Sequence, residues 1–183
     1  MKRFFLSLFL IVFVFTNVKA QSEMFLQETS PSGGRAIFFE LGGHSIFFGF
    51  NYDARFNKKP DGLGGRVGVG YMAVSEARFF SLPVALNYLM GKDGKYFEMG
   101  AGATLLSLGE RDDNYSYTEL GYSSPTTTNR TKLLGNISFG FRRQPVNGGF
   151  MFRAGVAPVF GLEDDKSFFF FPFLPYISFG YAF

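Results

Sequence analysis

Three features of the sequence together predict an all-β fold, an eight-stranded antiparallel up-and-down transmembrane β-barrel of the outer-membrane type. The chain opens on an export leader and afterwards has no apolar stretch long enough for a membrane helix. The remainder divides into eight runs in which large apolar residues alternate with small or polar ones. The connections between those runs are alternately short and long, as in barrels with short periplasmic turns and longer outer loops.

The leader is residues 1–20. Lys2 and Arg3 precede an apolar run from Phe4 to Phe15, and Val18 and Ala20 supply the small residues of a cleavage site. The run is shorter than the ~20 residues needed to cross hydrocarbon, so a signal peptide is the better reading than an uncleaved anchor. A mature chain from Gln21 is expected. Losing Lys2, Arg3 and Lys19 brings the 18 basic residues of the chain level with its 15 acidic ones. The basic balance therefore belongs to the leader and gives no reason to expect a nucleic-acid partner. With no cysteine there is no disulfide framework and no thiol to carry a lipid anchor. No cofactor and no metal site is expected from the motifs.

Residues 21–34, "QSEMFLQETSPSGG", are polar and broken by Pro31 and two glycines, which reads as a flexible periplasmic lead-in to a barrel over 35–183. The eight runs cover about 35–43, 45–56, 63–72, 78–90, 95–108, 131–144, 150–162 and 173–183. Most approach the ~9 to 11 residues that a tilted strand needs to span a bilayer. "NKKPDG", "GKDG" and "PVNGG" are the short turns, and residues 109–130 the longest outer connection, while the first outer connection, around Gly43 and His44, is tight.

Alternation alone would also suit a soluble lipocalin-like barrel with its apolar face inside. The composition of the polar faces decides against it. Phe48, Phe50, Tyr52 and Phe56 oppose Gly49, Asn51, Asp53 and Arg55, and Ile137, Phe139 and Phe141 oppose Asn136, Ser138, Gly140 and Arg142. A face in water is normally dense in Lys and Glu, yet after the leader no strand interior carries a lysine. Large residues outward and small ones inward fit a narrow barrel in lipid.

The ending "YISFGYAF" places Ile177, Phe179, Tyr181 and Phe183 on one face and resembles the C-terminal targeting strand of bacterial outer-membrane proteins. That resemblance implies recognition by the barrel assembly machinery and a location in the cell outer membrane of a Gram-negative bacterium. "NYDARF", "GLGGRVGVGY", "LPVALNYLMGKDGKYFEMGAGAT" and "GFRRQPVNGGFMFRAGVAPVFG" are similar to a family of small, uncharacterised Bacteroidetes outer-membrane β-barrels. The resemblance covers most of 36–183 and implies no chemistry.

Candidate functional residues fall into three groups. Glu40, Asp53, Arg55, Arg66, Glu98, Arg142 and Arg153 lie on inward faces. Counting outward from the turns puts Asp53 opposite Arg66, Asn87 opposite Glu98, and Arg142 opposite Arg153, with Glu98 placed to relieve the two arginines. A belt of ion pairs closing the lumen is the expectation. A narrow, porin-like path for ions or small solutes is the alternative, since charges within a membrane mark pathways.

His44, Ser45 and Glu40 form the second group and invite comparison with outer-membrane lipid A deacylases. Neighbours on a strand point to opposite faces, so a turn residue is the better reading of His44, and no catalysis is expected. Third, Tyr115, Tyr117 and Tyr122 in the longest loop, beside Glu110, Asp112, Asp113 and Glu119, could contact a surface partner or, through a divalent cation, lipopolysaccharide. The function expected is that of an integral outer-membrane barrel with a structural or surface-interaction role.

Overall fold

The computed structural model describes residues 34–57, 59–75, 77–112, 126–162 and 167–183. The leader, all but the last residue of the lead-in, and Tyr115, Tyr117 and Tyr122 lie outside the described residues. Among the described residues there are ten strands: β1 Arg35–Gly42, β2 Phe48–Arg55, β3 Gly62–Val74, β4 Ala77–Lys92, β5 Lys95–Asp112, β6 Thr126–Arg143, β7 Gly149–Val156, β8 Val159–Leu162, β9 Phe168–Phe171 and β10 Pro175–Ala182.

All their pairings are antiparallel, and they close on themselves. β1 to β6 pair in chain order, β6 pairs with β7, β7 with β10, and β10 with β1. The circuit of described strands leaves no free edge around the barrel, as lipid requires of a β structure. Ten strands make eight barrel walls because two walls are interrupted. β7 and β8 continue one wall across Ala157 and Pro158, where β6 changes partner from β7 to β8. β9 and β10 continue the last wall across residues 172–174, so the eighth run is the single strand β10 preceded by β9, whereas the seventh run, 150–162, divides into β7 and β8. Pro158 and Pro172 have no N–H for a ladder, which accounts for the breaks.

The turns follow their residues. β4 and β5 close on Asp93 and Gly94, both with positive φ, as a two-residue hairpin demands. That turn is centred one residue beyond the sequence count, so Glu98 lies opposite Leu89 and Asn87 opposite Gly100. The expected facing of Asn87 and Glu98 is thereby corrected. The other two, Asp53 opposite Arg66 and Arg142 opposite Arg153, are present in the register.

Outward positions carry the large apolar residues: Phe50 is 68% exposed, Leu133 66% and Phe150 57%, with Val67, Val84, Leu86 and Tyr181 also exposed. Inward positions are buried and mostly small or polar. The described barrel is thus inverted relative to a soluble one, its apolar surface outside. Inside, Ala36, Phe38, Met151 and Ala182 pack near the end that carries the short turns. Leu106, Leu134 and Val159, with Ile46, Leu108, Phe169 and Leu174 against them, pack near the opposite end.

Candidate functional site in the barrel lumen

Alongside the Ala36 cluster, on the short-turn side of the Leu106 cluster, the lumen is filled by charge. Glu40, Asp53, Arg55, Arg66, Glu98, Arg142 and Arg153 all point inward and are buried. They come from six walls, because period-two alternation sends every second residue of β1, β2, β3, β5, β6 and β7 to the axis.

Glu40 accepts two hydrogen bonds from Arg66, at 2.7 and 3.0 Å, and one from Arg153 at 2.9 Å. Arg153 donates two further bonds to Glu98, both 2.7 Å, in the fork geometry that suits a guanidinium to a carboxylate. Glu98 lies 3.7 Å from Arg142 as well, so it stands between the two facing arginines. Asp53 takes Arg55 at 2.6 Å and Arg142 at 3.0 Å. Asn87 joins the two halves of the network: it donates to Asp53 and, at 3.3 Å, to Glu98, and it accepts from Arg55.

Aromatic rings and glycines complete the packing. Arg153 lies 4.6 Å over the Phe38 ring and 5.1 Å over Tyr176, and Arg66 lies 5.5 Å over Phe38. Gly64 is bare where a Cβ would collide with the Arg55 guanidinium. Gly140 leaves similar room for the Tyr176 hydroxyl. Among the described lumen residues, four arginines meet three carboxylates, an excess of one positive charge.

No family model matches the chain, and no curated protein does. Among solved structures, the N-terminal β-barrel domain of Pseudomonas aeruginosa OprF matches with a TM-score of 0.57 at 12% identity, over 84% of this chain and the whole of that domain. The fold is that of an outer-membrane β-barrel. Neisserial surface protein A is a second match, at 14% identity and a TM-score of 0.42, over 80% of this chain and 90% of that one.

In this barrel the β1–β2 connection is not a loop in water. Gly43–Ser45 form one turn of 3-10 helix folded into the lumen, with all three residues buried. The Gly42 amide donates to the Phe47 carbonyl at 2.6 Å to close the turn. Positive φ at Gly42 and Gly43 makes the inward bend, and Ile46, with φ 69°, bears a conformation that costs a β-branched residue energy. Side chains from other walls hold the turn: Thr104 donates to the His44 carbonyl at 2.7 Å, and Ser81 to the Ser45 carbonyl at 3.0 Å. Asn51 donates to Ser45 Oγ and Ser45 to Glu40, each at 3.4 Å.

His44 and Ser45 share this turn but no hydrogen bond. Both imidazole nitrogens are buried without a partner. The imidazole and the serine hydroxyl therefore do not meet as a hydrogen-bonded pair.

Sequence reasoning placed Asn87 and Asn136 on inward faces and gave no part in the network to Gln144, Ser178 or Thr104. Asn87, Gln144, Ser178, Thr104 and Asn136 complete its hydrogen bonding: Gln144 accepts from Arg142 at 2.8 Å, and Asn136 donates to Thr104 at 3.0 Å. Ser178 and Thr104 stand on the inward parity of their strands, which is the signal that could have found them. Gln144 lies past the end of β6, where parity gives no guidance.

Proposed function

We propose that this protein is a non-enzymatic integral protein of the outer membrane whose lumen is closed by its own side chains, serving a structural or surface-interaction role. The observation that carries the reading is the ion network: seven charged side chains, all buried, whose carboxylates are each shared between two arginines. An eight-stranded barrel has an interior just wide enough for side chains to fill, and here they fill it with strong pairs. On the outside, Phe50, Tyr52, Phe97, Phe150 and Tyr181 offer lipid chains an aromatic and aliphatic surface.

The finer parts of the reading rest on the sequence. The protein belongs with the small Bacteroidetes barrels that its motifs resemble, its last strand is read by the assembly machinery, and its outer connections meet lipopolysaccharide or a surface partner. A second reading, a narrow ion or solute path, draws on the excess cation in the lumen, which would favour anions. The lipid A deacylase reading has the least support, since His44 lacks a bond to Ser45.

Single-channel recording in planar bilayers separates the first two. A silent wild-type protein that conducts after Glu98→Ala supports a closed lumen. Steady conductance in the wild type would overturn it in favour of the path. Cell fractionation with heat-modifiable gel migration tests the location, and an unchanged lipid A profile on expression tests the absence of catalysis.

A further inference from the structure

Among the described residues, the tucked β1–β2 turn is part of the outer seal of the lumen. β1 ends at Gly42 and β2 begins at Phe48, whereas the neighbouring β3 and β4 stay paired as far as Val74 and Ala77. The wall is therefore lowest there, and the Gly43–Ser45 turn, not a strand, covers the ion network on that side. Its central residue is the only histidine in the chain. We propose that the turn is an acid-released latch: protonation of His44 expels it from the lumen and uncovers Glu40 and Arg66.

The surroundings of His44 explain why a proton would do this. The charges that bear on it are Glu40 of β1, Arg66 of β3 and Arg153 of β7; Tyr176 of β10 lies against the neighbouring Gly43, and Ser81 of β4 and Thr104 of β5 bring neutral hydroxyls to the turn backbone. Among the described residues, Glu40 is the carboxylate that bears on His44. Its oxygens already accept from Arg66, Arg153 and Ser178, and both guanidiniums repel a third cation. A charged group buried without a partner is strongly unfavourable, and what the turn would give up on leaving is a few hydrogen bonds, a strained Ile46 and the contact of Ile46 with the Leu106 layer. His44 lies in the turn and not in a spanning strand, and burial, followed by the charge of Arg66, pushes its imidazole well below the ordinary range.

Linkage gives the sign. The tucked state binds fewer protons than the released one, so it is favoured above the ordinary imidazole value of about 6.5 and loses ground by up to about tenfold per pH unit below it. The inference deepens the closed-lumen reading by naming the element that opens.

A chain without cysteine allows a direct test. Ser45→Cys and, as an exposed reference on the β3–β4 turn, Ser75→Cys are each labelled with a maleimide on the full chain in lipid nanodiscs, where both faces are accessible. The Ser45→Cys rate relative to the reference is expected to rise about 30-fold from pH 7.5 to pH 5, at a slope of one proton. It is expected to stay level in Ser45→Cys with His44→Gln. A flat ratio with His44 present overturns the proposal, as does an equal rise without it. If the His44→Gln protein fails to fold, the slope alone decides, because a dependence on two or more protons would also overturn the latch. Labelling of Ser75→Cys on intact cells independently reports whether this end of the barrel faces outward, so a failed orientation is not mistaken for a failed latch.

Discussion

The two halves of the lumen are closed by different means. In the half toward the short turns, charged side chains meet at 2.6 to 3.7 Å, and each carboxylate serves two arginines. In the other half, a backbone turn is held by hydroxyl and amide contacts of 2.7 to 3.4 Å below a layer of Leu106, Leu134 and Val159. The first kind of closure resists removal of any member, because each leaves a buried charge uncompensated. The second depends on neutral hydrogen bonds worth roughly 0.5 to 1.5 kcal/mol each, and on one histidine staying neutral. A sealed barrel can thus have one permanent partition and one conditional one.

The largest effect should come from the charged half. Glu98→Ala leaves Arg153 without two bonds and is expected to cost about 3 to 5 kcal/mol, read as a lower midpoint in urea unfolding followed by gel mobility. The outer surface is next: Phe50→Arg puts a cation on the lipid face and is expected to cost about 2 to 4 kcal/mol by the same measurement. Smallest, Thr104→Val removes the bond to the His44 carbonyl and should cost about 1 to 3 kcal/mol. Its sharper readout is local. Amide hydrogen exchange should quicken across 43–47 while β1 and β2 keep their protection. If Thr104→Val instead lowers protection throughout the barrel, the two halves are not separable.

The same division governs how much of the fold is legible in the sequence. Period-two alternation is a strong signal where one face is lipid and the other a narrow lumen, so the eight walls can be read from residues such as Phe50 beside Asn51 or Phe141 beside Arg142. β3, β5 and β6 run longer at their outer ends than alternation predicts, because strands that leave the membrane no longer have two contrasting faces. The four consecutive phenylalanines of β9 carry no alternation at all. Inward placement of the seven charges can be read from parity, yet their partners cannot. Arg153 reaches Glu40 on another wall, and barrel stagger sets that contact. The tucking of His44 is illegible because glycines permit an inward bend without dictating it.

Glu40 lies on the first strand, and its bonds to Arg153 and Ser178 span 113 and 138 residues. Both are absent until β10 meets β1, the last seam that can form when the chain is laid down in order. Before that moment an inserted sheet would leave Glu40 with Arg66 alone and the Arg153 Nη1 without its acceptor at membrane depth. Closing the seam and completing these bonds are one event, so partly assembled barrels should be scarce, and the ion network acts as a clasp that makes the final step of folding all or none.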